Sequence, residues 1–276
     1  MKKAADAGVI CIASVGHTVE ESSQYVEKLE EQGASVIEVV SYDKDTMVPM
    51  ILDAKKRVKI PVVAKLSPNV PDFMEMAKAC KEAGADGFTA CDSIGPTLKI
   101  DIETGKSVLD GASGYGWLTG SMIRPIILQK VCELRKAFPD MPIIGLGGVT
   151  KWQDGVEMIM AGANYIGVCS TVIMNGYPVI QKMNQAIDSF MESHGYQSYD
   201  DMSGIVISTL PKEDLHDGFS MGFDKEKCKY CDKCIQVCPY VARKFDEDGN
   251  MEVWKEECRQ CGLCISMCPT GAIYYC

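Results

Sequence analysis

A run of four cysteines closed by proline occurs twice near the end of this chain, and nothing else in the sequence constrains it as tightly. The runs are Cys228-x2-Cys231-x2-Cys234-x3-Cys238-Pro239 and Cys258-x2-Cys261-x2-Cys264-x3-Cys268-Pro269, an internal repeat. Three thiolates at intervals of three residues can wrap one iron–sulfur cubane, while the fourth, turned away by its proline, reaches the other cluster. The spacing therefore predicts two [4Fe–4S] clusters with crossed ligation. Cys228, Cys231, Cys234 and Cys268 would hold one, and Cys258, Cys261, Cys264 and Cys238 the other. Zinc is the competing metal, but a zinc site closes with four ligands and has little use for this run twice. Cys276 falls outside the pattern and reads as a bystander thiol.

The cysteines also divide the chain. Nine of the 14 fall in the last 49 residues, and only Cys11, Cys80, Cys91, Cys132 and Cys169 precede them. A disulfide scaffold would be short and secreted, so metal ligation is the better reading. With 276 residues, 46% of them hydrophobic, the chain can build one large core and a small satellite. The expected division is a barrel-like domain over 1–195, a linker over 196–220 and a cluster domain over 221–276. A net charge of −10 lacks the basic footprint of a nucleic-acid binder. There is no run of eighteen apolar residues, and Met1 to Gly8 has no secretory pattern, so a cytoplasmic protein without a membrane partner is expected.

Residues 8 to about 190 repeat one unit, an apolar β-branched strand followed by an amphipathic helix that closes on a small pair. Strands are predicted near Gly8–Val15, Ser35–Ser41, Ile60–Leu66, Gly87–Cys91, Pro142–Gly147 and Tyr165–Cys169. Helices should end at Gly33-Ala34, Gly84-Ala85 and Gly162-Ala163, where glycine supplies a left-handed cap. Thr150 and Gln153 read as a capping box opening one helix. Such a chain forms a parallel sheet covered by helices, open or closed into a barrel. No strand-linked G-x-G-x-x-G is present, because Gly111, Gly114 and Gly116 have neither the order nor the following helix. NAD(P)H, if used, would bind a partner subunit.

About the last 55 residues resemble bacterial two-cluster ferredoxins, with all eight ligands matched. The larger region carries five ordered motifs: Ile60 to Val70 with Lys65, Gly84 to Ser93, Thr119-Gly120 with Arg124-Pro125, Pro142 to Val149, and Gly167 to Thr171. In order and spacing they resemble the FMN-binding (βα)8 barrel of dihydroorotate and dihydropyrimidine dehydrogenases, the latter also joined to a two-cluster module. The resemblance implies an α/β fold, a TIM barrel beside a small α+β ferredoxin domain. Only six βα units are countable where eight close a barrel, and the chain starts at what matches strand three. Amides of Gly147, Gly148, Ser170 and Thr171 would hold the FMN phosphate at helix N-termini. Lys65 would face the flavin N1/O2 edge, and Thr119, Gly120 and Ser93 would complete the flavin contacts. Lys65 also reads as a strand-end cap, and Thr119-Gly120 as a plain turn.

The resemblance breaks at the catalytic loop. The family's Asn-Leu-Ser-Cys-Pro stretch corresponds to Val40-Ser41-Tyr42-Asp43-Lys44, which retains neither the asparagine nor the catalytic cysteine. The family's Asn-Thr pair has become Asp92-Ser93, and a carboxylate accepts hydrogen bonds but cannot donate them. His17, Tyr42 and Asp43 are the candidates for the missing acid, with Asp92 as substrate reader. His17 also reads as a solvated or capping residue, and Asp43 as a helix start. Cys91 and Cys169 read as small packing residues. The expected protein is an FMN- and iron–sulfur-dependent oxidoreductase acting on a small, polar, unsaturated substrate. It would be oligomeric and served by an NAD(P)H-oxidising flavoprotein subunit or a ferredoxin. A dihydropyrimidine or dihydroorotate dehydrogenase, or a non-enzymatic electron-transfer subunit, are the alternatives.

Overall fold

The computed structural model describes residues 1–109, 111–210 and 221–276. The chain divides into two units, Met1–Ser208 and Thr209–Cys276. The larger opens with a short helix, α1 (Lys2–Asp6), and then alternates strand and helix: β1 (Ile12–Val15), α2 (Val19–Glu31), β2 (Val36–Val40), α3 (Lys44–Arg57), β3 (Val62–Leu66), α4 (Phe73–Glu82) and β4 (Gly87–Ala90). An excursion follows, in which β5 (Ile94–Thr97) pairs antiparallel with β8 (Gly116–Leu118) around a smaller hairpin of β6 (Ile100–Asp101) and β7 (Lys106–Ser107). Alternation resumes with α5 (Arg124–Ala137), β9 (Ile143–Leu146), α6 (Trp152–Ala161), β10 (Tyr165–Gly167), α7 (Ser170–Asn175) and α8 (Pro178–His194).

Six strands form one sheet in the order β1-β2-β3-β4-β9-β10, and every neighbouring pair is parallel. Because side chains alternate along a strand, each strand divides its residues between two faces. Ile37, Val39, Val62, Ala64, Leu66, Phe88, Ala90 and Ile143 share one buried cluster with Met47, Met50, Ile51, Met76, Cys80, Ile127 and Val131 of the helices. The other face carries Glu38, Lys65 and Thr89, and Thr89 Oγ1 donates to Glu38 Oε2 at 2.6 Å. That is a parallel half-barrel. Its edge strands leave Ile12 47% and Tyr165 64% exposed.

Several boundaries differ from those expected. β1 begins at Ile12 rather than Gly8, because the chain leaves α1 through Gly8 at φ +79°. The other five sheet strands fall within the predicted ranges, shortened at one or both ends. The α6 turn is closed by Asp154 instead of Gln153: Asp154 Oδ2 accepts from Thr150 N at 2.8 Å, Thr150 Oγ1 at 2.7 Å and Lys151 N at 3.1 Å. A carboxylate one residue further on brings a negative charge, so its hydrogen bonds to these donors are stronger than those of a neutral amide oxygen. The predicted strands omitted β5 to β8, whose short, glycine-broken segments show no period-two run. Residues 196–208 belong to the larger unit, where fully buried Met202 packs with Val156, Ile159 and Ile187. Of the rest of the expected linker, Thr209 and Leu210 fall in the smaller unit and 211–220 lie outside the described residues.

The smaller unit is built from two matching halves. β11 (Met221–Phe223) is followed by α9 (Lys233–Gln236) and β12 (Arg243–Phe245), then β13 (Met251–Val253) by α10 (Leu263–Ser266) and β14 (Ile273–Tyr275). β11 pairs with β14 and β12 with β13, both antiparallel. Each four-residue helix buries the third cysteine of its run, Cys234 or Cys264, against Ile273 and flanking aromatic and aliphatic groups. Among the described residues, no helix is long and apolar enough to cross a membrane.

Candidate functional site

At the carboxyl ends of the sheet strands, where chemistry sits in barrels of this type, the larger unit has an open cleft. Lys65 reaches it from β3, Asp92 and Ser93 follow β4, Thr119 and Gly120 follow β8, and Gly147, Gly148 and Ser170 follow β9 and β10. Lys65 Nζ stands 3.7 Å from Asp92 Oδ1, each side chain 20% exposed. Asp92 is held by the Ser93 amide at 2.8 Å and accepts from the Tyr42 hydroxyl at 3.2 Å. Partial burial, then the Asp92 charge and this hydrogen bond, push the Tyr42 phenol above its ordinary value. Asn69 fixes the turn by donating to the Ser93 carbonyl at 2.8 Å and accepting from Gly95 N at 3.0 Å.

Tyr42 stacks on Trp117, with ring centroids 5.6 Å apart and an interplanar angle of 13°. His17 stacks on Tyr42 at 6.1 Å and 25°. Of the predicted acids, Tyr42 alone therefore meets Asp92. Asp43 is the N-cap residue of α3, accepting from Thr46 Oγ1 at 2.9 Å, and none of His17, Tyr42 and Asp43 is among the residues that line the cleft. Thr171 also misses the cleft: it is buried, and its hydroxyl donates to the Thr150 carbonyl at 3.2 Å. Cys91 is buried in the cleft wall, and burial raises its thiol far out of the reactive range. Trp117 and Asn69 escaped the sequence reading, because lone residues in short irregular segments carry no spacing signal.

The residues of the cleft fit FMN. Lys65 is the one cation among the described lining residues, and a glycine turn exposes backbone. Gly147 and Gly148 take φ of +127° and +82°, and a Cβ on Gly148 would stand 2.8 Å from the Arg124 Cα. Fully buried Asp154, with Arg124 Nη1 2.8 Å away, ties the following turn down. Burial alone would raise its carboxyl, but the Thr150 and Lys151 hydrogen bonds and Arg124 hold it below the ordinary range.

The smaller unit has two cavities. One is lined by Cys238, Cys258, Cys261 and Cys264, and the other by Cys228, Cys231, Cys234 and Cys268. Each thus draws three cysteines from one run and the fourth from the other. No three His, Cys, Asp or Glu groups among the described residues converge as a single ion requires. Four thiols around a cavity suit a polynuclear cluster better than zinc. Amides assist the thiolates: Tyr230 N donates to Cys228 Sγ and Ala242 N to Cys238 Sγ, both at 3.4 Å. Burial works to raise Cys268, but the amides of Thr270, Ile273 and Ala272 and the Thr270 hydroxyl outweigh it and bring it to about 7. Burial raises Cys234 and Cys264, opposed first by the Arg243 charge.

The family model for dihydroorotate dehydrogenase matches residues 1–191, and that for the 4Fe-4S dicluster domain residues 222–274. The dihydroorotate dehydrogenase B (NAD(+)) catalytic subunit of Methanothermobacter thermautotrophicus is 34% identical over 167 residues, 60% of this chain and 54% of the relative. That of Pyrococcus abyssi is 35% identical over 147 residues, 53% of this chain and 48% of the relative. The NAD-dependent dihydropyrimidine dehydrogenase subunit PreA of Escherichia coli K12 is 28% identical over 191 residues, 67% and 46% of the two chains. The chain spans about half the length of these curated relatives. With its half-barrel and cleft matched across 1–191 and its thiol-lined cavities across 222–274, the chain belongs to the dihydroorotate dehydrogenase family and carries a 4Fe-4S dicluster domain.

Proposed function

We propose that the protein is an oxidoreductase that uses FMN and two [4Fe–4S] clusters to add or remove a hydrogen pair at a carbon–carbon bond of a small, polar, unsaturated substrate. One observation carries this reading: a single chain holds a cleft lined by one lysine and a glycine turn at the strand carboxyl ends, and also two four-thiol cavities. FMN, when bound, supplies two-electron chemistry at N5 and can pass electrons on singly to clusters. The backbone at Gly147, Gly148 and Ser170 would hold its phosphate, and Thr119 and Gly120 would border its ring. Lys65 would stabilise negative charge at the N1/O2 edge, with Asp92 beside it limiting the net charge. Cys228, Cys231, Cys234 and Cys268 would bind one cluster, and Cys238, Cys258, Cys261 and Cys264 the other.

Tyr42 is the residue best placed to hold the substrate proton. Its hydroxyl is bonded to Asp92, and the raised phenol keeps it protonated at neutral pH. Asp92 retains acceptor capacity and would favour a substrate that presents N–H donors. His17 and Trp117 flank the Tyr42 ring and limit its rotation, a packing role. Asp43 belongs to the entry of α3. A redox partner, either an NAD(P)H-oxidising flavoprotein subunit or a ferredoxin, would exchange electrons with the clusters. Cysteines that are free of disulfides among the described residues suit a reducing, cytoplasmic compartment.

The relatives' names favour a second reading, turnover of dihydroorotate or dihydropyrimidine itself. Absorbance spectra with flavin and iron quantification on anaerobically purified protein test the first: about one flavin and eight irons per chain are expected. Iron without flavin would make the protein an electron-transfer subunit. Rapid reoxidation of the reduced protein by uracil or orotate would select the second reading.

A further inference from the structure

The two halves of the cluster domain repeat with an offset of 30 residues, from Cys228 to Cys258, and the offset pairs Arg243 with Ile273. Both open a strand beside a cluster cavity. Ile273 lies opposite Phe223 in the β11–β14 ladder and Arg243 opposite Val253 in the β12–β13 ladder. Both are 3% exposed. One half therefore buries an arginine where the other buries an aliphatic side chain.

That arginine lacks the partners a buried cation requires. Among the described residues no carboxylate pairs with it, its Nε has no hydrogen-bond acceptor, and its one polar contact is Nη2 to Met221 Sδ at 3.4 Å. Burying an uncompensated guanidinium costs several kcal/mol, and the group cannot shed its proton to escape. The compensating charge must come from something the side chain faces. Arg243 lines the cavity of Cys238, Cys258, Cys261 and Cys264, and is absent from the lining of the other cavity. Met221, which it touches, also lies 3.7 Å from Cys264 Sγ. An oxidised cubane with four thiolates carries a net charge of about −2, and one unit more on reduction.

We propose that Arg243 is the counter-ion of the cluster held by Cys238, Cys258, Cys261 and Cys264, and that it makes this cluster the more easily reduced of the two. A positive charge beside a cluster stabilises the reduced form, which holds the extra electron, more than the oxidised form. The guanidinium also influences Cys234 across the domain, but only one cavity has it in its wall. The near-symmetric module becomes a directed wire. An electron that enters at either cluster comes to rest beside Arg243.

The inference rests on the two-cluster reading, and the test separates their failures. Iron content of the native chain comes first, since markedly fewer than about eight irons removes the two-cluster reading itself. Redox titration followed by electron paramagnetic resonance then ranks the clusters, with Cys231→Ser and Cys261→Ser assigning each signal. The Cys261-side cluster should be reduced first. Arg243→Ile, which copies the other half, should shift the electron partition toward the Cys231-side cluster at least tenfold, about 59 mV for a one-electron couple. Arg243→Lys should keep the native order. If Arg243→Ile binds iron incompletely, Arg243→Met is titrated in its place with the same expectation. Native clusters reduced in the opposite order, or an unchanged partition in the apolar variants, would overturn the proposal.

Discussion

Tyr42, Asp92 and Lys65 form a chain of contacts in which each member changes what the next can do. Burial and Asp92 raise the Tyr42 phenol, so the Tyr42–Asp92 bond is fully present below the ordinary phenol range. It is lost as the pH rises through the higher folded value. Ultraviolet titration should therefore show two late phenols, Tyr42 and Tyr199, the latter raised by burial and Asp188, and Tyr42→Phe should remove one of them. The same variant should lower turnover about a hundredfold while flavin content stays native, the size expected for loss of a proton donor. Native turnover in Tyr42→Phe would clear the residue of that role. Lys65→Ala leaves Asp92 without its neighbouring cation and takes positive charge from the cleft. Flavin reduction should slow about a hundredfold, measured by stopped-flow absorbance, with cluster spectra unaltered.

Elements place these residues through features that differ in how visible they are. Glycine after α2, α4 and α6 is plain in the sequence and adopts positive φ at Gly33, Gly84 and Gly162. The excursion from β5 to β8 is not, because two-to-four-residue strands have no room for a period, yet it brings Trp117 onto Tyr42. The turn before α6 hides its anchor in a similar way. Asp154 is fully buried, takes three hydrogen bonds and faces Arg124. Asp154→Ala should cost about 2 kcal/mol in chemical denaturation, since it leaves the Thr150 and Lys151 donors unpaired and Arg124 with Glu157 alone. Its carboxyl is held low, so this contribution is present above the ordinary carboxyl range and lost as the pH falls through its lower folded value. A parallel loss of flavin affinity would follow from loosening the Gly147-Gly148 turn.

At the scale of the whole molecule, cleft and cavities draw on separate units of the chain. Cys238→Ser should perturb the cluster of Cys258, Cys261 and Cys264 more than that of Cys228, Cys231 and Cys234, read by paramagnetic resonance, and leave flavin content unchanged. Loss of flavin in that variant would show that the units depend on each other. The sequence alone determined how the cysteines group around the two cavities, six parallel strands in order and the glycine turns, because each rests on spacing within a short run and its repeat. Only the tertiary structure decided that Tyr42 and not Asp43 meets Asp92, that Thr171 turns inward, and that Arg243 is buried with no carboxylate partner among the described residues. Those outcomes depend on which distant segments share a wall, and local spacing carries no record of that.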